Sequence, residues 1–283
     1  MDRRSIEAAV MASFTGEIEA FKPGNVSVYA DGHDMTVKDF IKSAEVSTPL
    51  LCQPGASLGQ RILDSVKATH TAVGCNTNLG MLLLFAPIVM AAETTVNDVN
   101  NLRQNLKLIL ASLNQDDANQ VYTAIRLANP GGLGSVDSQD VNKNPDCSLI
   151  EAMQLASNRD VVALQYTNNF KEIFETGFST IKCFDKSWNS VKWATVSSYL
   201  MFMSSILDSH IQRKYGAQVA EKIKIKSGII AEKFHIASDP EAEIDLIQRF
   251  DEELKAESIN PGTSADLTAA GLLVFKIAEK MKL

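Results

Sequence analysis

One short segment near the amino terminus combines side chains that can serve a phosphorylated ligand. The sequence "KPGNVSVYADGHD" places Lys22 and Asn25 around a Pro-Gly turn, with His33 and Asp34 at its end. A lysine supplies a point charge to phosphate, and an aspartate can hold Mg²⁺. An ordinary loop, in which Asp34 or Thr36 only caps the next helix, explains the spacing equally well. The segment is therefore a candidate site that needs support from elsewhere in the chain.

A second polar segment stands directly in front of one of the most apolar stretches of the chain. Residues 74–80, "GCNTNLG", run into "MLLLFAPIVMAA". The free N–H groups and the dipole of a helix N-terminus favour an anion, and Asn76 and Asn78 add amide groups. A single cap, Asn76 or Thr77, would be enough to begin a buried helix. Several polar residues in a row therefore favour a ligand site at the mouth of this helix.

A glycine-rich segment in mid-chain gives a weaker signal. Residues 126–141 read "RLANPGGLGSVDSQDV", with an arginine at the start. The segment lacks the spacing of a P-loop, and no strand precedes it as a dinucleotide fingerprint requires. A flexible connection between two helices is the favoured interpretation.

A fourth segment repeats the pattern of a polar opening before an apolar helix. Residues 260–275 read "NPGTSADLTAAGLLVF", in which Thr263 and Asp266 have the spacing of a capping box. The helix dipole alone would explain a carboxylate in the first turn. If this helix and the one that follows Asn76 opened into one cavity, Asp34 and Asp266 could hold a divalent ion between phosphates.

Helical periodicity dominates the elements that must position these segments. In the first of them, apolar residues recur every four positions at Ile6, Val10, Phe14 and Ile18. Alternating strand patterns are nearly absent. We predict an all-α protein: a single domain over residues 1–283, with about ten to twelve helices around one core. The predicted helices span residues 3–20, 36–46, 58–71, 79–92, 96–113, 116–127, 148–156, 160–175, 186–207, 212–234, 241–257 and 264–282.

Composition narrows the class of protein. Apolar residues make up 45% and charged residues 22% of the 283 positions, as in a soluble globular protein. The net charge of −7 argues against nucleic-acid binding through a broad basic surface. The longest apolar run, residues 79–92, is too short to cross a bilayer, and the four scattered cysteines suit a reducing compartment. We therefore predict a cytoplasmic protein without a membrane or nucleic-acid partner. The apolar run 191–207 fits either the core or a homodimer interface.

The four segments together resemble a known family. "KPGNVSVYADGHDM", "GCNTNLGMLLLFAPI", "RLANPGGLG" and "NPGTSADLTAAGL" occur in the order and spacing of the triphosphoribosyl-dephospho-CoA synthase family, over roughly residues 17–273. This resemblance implies an all-helical fold, Mg²⁺ dependence, and ATP and 3′-dephospho-CoA as substrates. It implies release of adenine and transfer of the triphosphorylated ribose to the ribose 2′-hydroxyl of dephospho-CoA.

The sequence departs from the citrate-lyase type of this family at two places. That type has Asn-Thr-His-Lys-Gly where residues 76–80 read "NTNLG", and Arg-Gly-Glu-Ala where residues 129–134 read "NPGGLG". The "NTNLG" form resembles a branch from archaea and methylotrophic bacteria that is linked to tetrahydromethanopterin-type cofactors. The acceptor is therefore left open between dephospho-CoA and a pterin-cofactor precursor. A nucleotide-binding helical protein without transferase activity is a third interpretation.

For the reaction that the resemblance implies, we assign roles to individual residues as a hypothesis. Triphosphate binding is expected of Lys22, Asn76, Asn78 and the backbone at Thr77. Asp34 and Asp266 are the expected Mg²⁺ ligands. The catalytic candidates are Asp34 together with His33 or Glu17, either of which would deprotonate the acceptor hydroxyl or stabilise the charged ribose ring. The other residues expected to contact substrate are Gly24, Asn25, Arg126, Gly131, Gly132 and Ser264.

Overall fold

The computed structural model describes residues 1–29, 35–95, 98–131 and 139–281, and in these ranges the chain forms helices and no strands. The all-α prediction is confirmed, with fourteen α-helices in the described residues where ten to twelve were expected. The helices are α1 (Arg3–Glu19), α2 (Val37–Leu51), α3 (Leu58–Val73), α4 (Leu79–Thr94), α5 (Val99–Ser112), α6 (Gln115–Ala128), α7 (Leu149–Ala156), α8 (Val161–Thr167), α9 (Ser179–Trp188), α10 (Val191–Ser205), α11 (Ser209–Tyr215), α12 (Ala217–His235), α13 (Ile244–Ala256) and α14 (Gly262–Lys280).

The additional helices are α9, which lies mostly in residues that no predicted helix included, and α11, which is separated from α12 where one predicted helix was expected. The predicted helix 160–175 ends at Thr167, since Asn169 and Phe170 take left-handed backbone angles, with φ of 60° and 55°. The chain then enters a π-helix, Ile173–Phe178, that leads into α9. Asn189, with φ of 49°, separates α9 from α10 inside the predicted helix 186–207. Gly216, with φ of 89°, separates α11 from α12. Asparagine and glycine are residues that tolerate this conformation.

Helix α14 joins the parts of the core. Buried apolar residues form one large cluster and two smaller ones, and α14 contributes Leu267 to the first, Ala265 to the second and Leu272 to the third. The π-helix Ile173–Phe178 approaches α14 closely at one point. A Cβ added at Gly271 would lie 2.9 Å from the Cα of Gly177, so the π-helix can pack against α14 because both positions are glycine.

Helix α4 is buried almost throughout and contains Pro87. A proline has no N–H, so the carbonyl oxygen four residues earlier, on Leu83, loses its helical partner. The hydroxyl of Tyr166, on α8, donates to that oxygen at 2.6 Å. A buried side chain from another helix therefore satisfies the group that the proline leaves without a donor.

No single helix in the described ranges is both long and apolar enough to cross a membrane. Helices α4 and α5 meet that criterion only as a pair, across a bend of 115°. The core position of α4 explains its apolar composition.

Candidate active site

Two cavities lie side by side where several helices begin. The larger, about 570 Å³, has mainly apolar walls from α4, α6, α7 and α8. The smaller, about 120 Å³, lies between the end of α1 and the beginnings of α4 and α14. Both volumes accommodate ligand groups, and the larger falls in the usual range for small-molecule sites. The residues shared by both walls are Met35, Asn76, Leu79, Gly80, His210 and Asp266.

The polar opening of α4 is held in place by serines of α2. Thr77 donates from Oγ1 to Ser43 Oγ at 2.6 Å, and Asn78 Nδ2 lies 3.5 Å from Ser47 Oγ. Asn76 Oδ1 accepts the backbone N–H of Leu79 at 3.1 Å, so it satisfies a free amide of the first helical turn. Asn76 also lines both cavities. It therefore acts as a cap and faces the candidate ligand space at the same time.

Asp266, in the first turn of α14, is half-buried and faces both cavities. The capping box predicted for Thr263 and Asp266 is wrong. Thr263 Oγ1 instead lies 3.0 Å from Ser209 Oγ and accepts the backbone N–H of His210 at 3.1 Å. The carboxylate of Asp266 packs against Gly80, where an added Cβ would overlap it. The beginnings of α4 and α14 are thus in direct contact, as the sequence pattern anticipated.

Gly74 lies outside the linings of both cavities. It has φ of 75° and ends α3, and its N–H donates a hydrogen bond to His70 O at 2.9 Å. This is the usual role of a left-handed glycine after a helix. Of the two glycines that flank the α4 opening, Gly80 belongs to the site and Gly74 belongs to the preceding helix.

Burial and neighbouring carboxylates both act on Asp266. Burial raises the pKa of Asp266 well above its ordinary value of 3.8. Nearby carboxylates raise that pKa further, and the guanidinium of Arg213 opposes them; the carboxylates belong to Glu17, Asp208 and Asp160. An anionic ligand at this position therefore requires positive charge to accompany it.

Glu17 and Lys22 form a buried ion pair beside the smaller cavity. Lys22 Nζ lies 3.2 Å from Glu17 Oε1 and donates to Val26 O at 2.5 Å. Burial raises the pKa of Glu17 and lowers the pKa of Lys22, and the pair opposes both shifts. Glu17 lines the cavity, whereas Lys22 lies behind it. The ammonium predicted to bind phosphate is thus directed at protein oxygens.

Of the predicted substrate-contacting residues Gly24, Asn25 and Ser264, only one lines a cavity. Asn25 lines the smaller cavity, and its Nδ2 donates to Asn260 Oδ1 at 2.7 Å. Gly24 lies outside both linings, and its N–H donates to Asp251 Oδ1 at 2.7 Å. Ser264 donates from its backbone N and its Oγ to Asp208 Oδ2, at 2.8 and 2.9 Å. Gly24 and Ser264 therefore position the chain rather than the ligand.

Of the predicted residues in the glycine-rich mid-chain segment, one lines a cavity and one does not. Arg126 lies outside both cavity linings, and its Nη1 donates to Val141 O at 2.8 Å and to Lys143 O at 3.1 Å. Gly131 lines the larger cavity. The predicted residues Gly132, His33 and Asp34 lie outside the described residues. Met35, which follows Asp34 in the sequence, lines both cavities.

Arg159, Asp160, His210 and Arg213 are among the charged or titratable residues of the larger cavity that escaped the sequence analysis. They lie in or next to stretches that were interpreted as plain helices. Asp208, which caps α11 by accepting the N–H groups of His210 and Ile211 at 2.9 and 3.1 Å, was a readable signal of a helix start here.

The described residues contain no group of three or more His, Cys, Asp or Glu side chains arranged to hold a metal ion. The smaller cavity does offer carboxylate and amide oxygens, from Glu17, Asp266, Asn25, Asn76 and Asn78. Oxygen donors of this kind suit Mg²⁺, which is commonly held by one or two carboxylates together with substrate phosphates.

A sequence-family comparison decides the class of protein. The family described as ATP:dephospho-CoA triphosphoribosyl transferase matches residues 3–283. The chain belongs to this family. It is therefore an enzyme of the class that transfers the triphosphoribosyl group of ATP to dephospho-CoA.

The fold of this transferase family member is similar to a solved structure. A crystal structure from Archaeoglobus fulgidus, described as a proposed triphosphoribosyl-dephospho-CoA synthase, superimposes with a TM-score of 0.66 at 24% sequence identity. The match covers 84% of this chain and 97% of that one. At this identity the likeness supports the fold. No curated protein matches the chain.

One of the departures from the citrate-lyase type of the transferase family lies in the site itself. Asn78 and Leu79, which replace its His-Lys pair, line the smaller cavity at the start of α4. The other departure, in residues 129–134, lies partly outside the described residues, and Asn129, Pro130 and Gly131 line the larger cavity. Both differences from that type therefore include residues that line a cavity.

Proposed function

We propose that the smaller cavity holds the triphosphate end of ATP and that the larger cavity receives the acceptor. The observation that carries this proposal is the contact between the beginnings of α4 and α14 at a wall common to both cavities. Free N–H groups at the start of these two long helices favour phosphate oxygens. The ribose C1′ would lie at the common wall, where an acceptor hydroxyl in the larger cavity can approach it.

We infer that Mg²⁺ accompanies the triphosphate. The support is electrostatic. The carboxylates of Glu17, Asp208 and Asp160 already raise the pKa of Asp266, and phosphate would add more negative charge beside it. Asp266 and, from the sequence, Asp34 would hold the ion together with phosphate oxygens. When bound, Mg²⁺ would neutralise phosphate charge and fix the orientation of the triphosphate.

The reaction replaces the C1′–N bond to adenine by a C1′–O bond to the acceptor. Positive charge develops on the ribose as adenine leaves with the bonding electrons. The carboxylate of Asp266 at the common wall stabilises that charge, and the helix ends hold the triphosphate in position for attack. Glu17, at the smaller cavity, and His33 remain the candidates that take the acceptor's hydroxyl proton. Burial raises the pKa of Glu17, which makes its ionised carboxylate a stronger base than an exposed glutamate.

The acceptor proposed from the family is 3′-dephospho-CoA. A pterin-cofactor precursor is the second candidate, supported by the replacement of the His-Lys pair with Asn78 and Leu79 on the cavity wall. Cytoplasmic localisation and the homodimer stay predictions.

Adenine release tests the proposal directly. The purified protein is incubated with ATP and Mg²⁺, with and without dephospho-CoA, and adenine is measured by liquid chromatography. We expect release that requires dephospho-CoA and is abolished by a chelator of divalent ions. Release that requires a pterin precursor instead would establish the second acceptor. Binding of ATP without release under either condition would identify a nucleotide-binding protein that is not a transferase.

A further inference from the structure

The larger cavity contains a fixed guanidinium that the proposed chemistry has not used. Arg213, on α11, lines this cavity, and its Nη1 lies 2.5 Å from Asp160 Oδ2. The two side chains are only 21% and 26% exposed. An ion pair with this degree of burial holds the arginine in one orientation.

The partner of Arg213 is itself held rigidly. Asp160 Oδ1 accepts the backbone N–H of Ala163 at 3.0 Å and so caps α8. The next residue, Val161, donates its N–H to Ser209 Oγ, at the start of α11, at 3.3 Å. The beginnings of α8 and α11 are thus linked both by this contact and by the ion pair. The guanidinium is preorganised before a ligand binds.

Arg213 also has a donor that the protein does not satisfy. Its Nε is buried, and no atom of the described chain accepts a hydrogen bond from it. A guanidinium presents five N–H donors in a planar fork that matches phosphate oxygens. A buried donor without an acceptor is costly, and such groups are rare in native structures. Arg213 lines the cavity with part of its side chain exposed, and its guanidinium is not fully paired within the described residues, so the fork points to a ligand oxygen.

We propose that Arg213, positioned by Asp160, binds the pyrophosphate of the acceptor; this rests on the proposed function. The walls of the two cavities distinguish acceptor from nucleotide. The larger cavity is mainly apolar, with side chains such as Leu83, Val121 and Met153, and suits a long uncharged arm that ends in a pyrophosphate diester. The smaller cavity carries the polar helix openings that suit the triphosphate. Arg213 thereby selects phosphorylated acceptors over their uncharged counterparts.

Steady-state kinetics of Arg213→Gln and Arg213→Lys test this assignment. Because hydrogen bonds to charged groups are worth more than neutral ones, we expect the KM for dephospho-CoA to rise about tenfold or more in Arg213→Gln. The KM for ATP should stay within about twofold, since the triphosphate lies elsewhere. Arg213→Lys should recover part of the loss, because lysine keeps the charge but not the planar fork.

The matched control is Arg103→Gln. Arg103, on α5, also pairs with a carboxylate, Glu175, at 3.0 Å, but it lies outside the cavity linings. This variant should leave both KM values unchanged. The double variant Asp160→Asn/Arg213→Gln removes the ion pair without leaving a charge unpaired, and it should reproduce the kinetic effect if the single variant folds poorly.

A rise in the KM for ATP, with that for dephospho-CoA unchanged, would overturn the assignment to the acceptor. Unchanged values for both substrates would show that the pair is purely structural. If the wild-type protein releases no adenine, the proposed function fails, but calorimetry with dephospho-CoA still tests Arg213. We expect binding to the wild type and a Kd about tenfold higher for Arg213→Gln. Equal affinity, or no binding to the wild type, would overturn the inference.

Discussion

At the scale of single residues, Gly80 determines where the Asp266 carboxylate can lie. The two residues come from different helices, and a methyl group on Gly80 would occupy the position of that carboxylate. Glycine is therefore required here for space, whereas its backbone angles are those of the helix that begins at Leu79. A sequence pattern alone cannot distinguish this use of glycine from conformational freedom.

Gly80→Ala tests this packing. We expect the Asp266 carboxylate to be displaced and the rate of adenine release to fall about tenfold or more, since small displacements of aligned groups are costly in catalysis. Thermal unfolding, followed by circular dichroism, should change much less than activity. Gly228→Ala is the matched control, because Gly228 lies within α12 with no atom close to an added Cβ. Equal activity of the two variants would contradict the role given to Gly80.

The raised pKa of Asp266 predicts a stability that depends on pH. A carboxyl whose pKa is higher in the folded state binds its proton more tightly there, so its ionisation destabilises the fold. This loss begins as pH rises above 3.8 and continues through the raised value. Asp266→Asn should therefore raise the Tm of the metal-free protein at pH 7, by about 2–4 °C for each kcal/mol regained.

The pH profile provides the control for this variant. Well below pH 3.8, where the wild-type carboxyl is protonated in both states, the difference in Tm should vanish. Adenine release should be lost in Asp266→Asn at every pH. A variant that is less stable than the wild type at pH 7 would show that Asp266 stabilises the fold.

At the scale of the helices, α4 depends on a group from α8 to complete its hydrogen bonding. Tyr166→Phe removes the hydroxyl that donates to Leu83 O and should lower the free energy of unfolding by about 1–3 kcal/mol, the usual cost of an unsatisfied buried group. Urea denaturation measures this change. In the Pro87→Ala background the backbone N–H returns, so the same substitution should cost much less. Equal costs in both backgrounds would contradict this account of the proline.

The start of α4 combines capping with ligand binding at Asn76. Loss of the hydrogen bond to Leu79 N in Asn76→Ala should cost about 1 kcal/mol of stability. Because the same side chain lines both cavities, turnover should fall more than this loss of stability explains. Parallel measurement of Tm and adenine release distinguishes the two effects. A lowered Tm with normal turnover would leave Asn76 as a cap.

At the scale of the whole molecule, the proposed nucleotide site links helices that are far apart in the chain. Bound ATP and Mg²⁺ should therefore protect backbone amides in both residues 76–82 and residues 262–268 from hydrogen exchange. Mass spectrometry with and without the nucleotide measures this, and the amides of α12, which lies outside both linings, are the internal control. Protection of one segment alone would contradict a site shared by α4 and α14.

The sequence by itself determined the helical class and the polar openings. Apolar residues at helical spacing predicted α1, α4 and α14 closely, and glycine, proline and asparagine marked the starts at Asn76 and Asn260. These features are local, because propensity, capping and periodicity depend on residues within a few turns of each other. The helix breaks at Asn189 and Gly216, which were not predicted, also depend on the local backbone conformation of these two residues.

Tertiary structure decided which polar groups meet the cavities. It directed Lys22 at Glu17, used Arg126 to hold residues 141–143, and brought Arg213 to Asp160 from another part of the chain. The partners in such contacts depend on how helices pack, because a buried charged side chain pairs with an opposite charge or a carbonyl group that packing brings near it. Spacing along the sequence records which groups are available, and the packing of α4, α11 and α14 selects those that face a ligand.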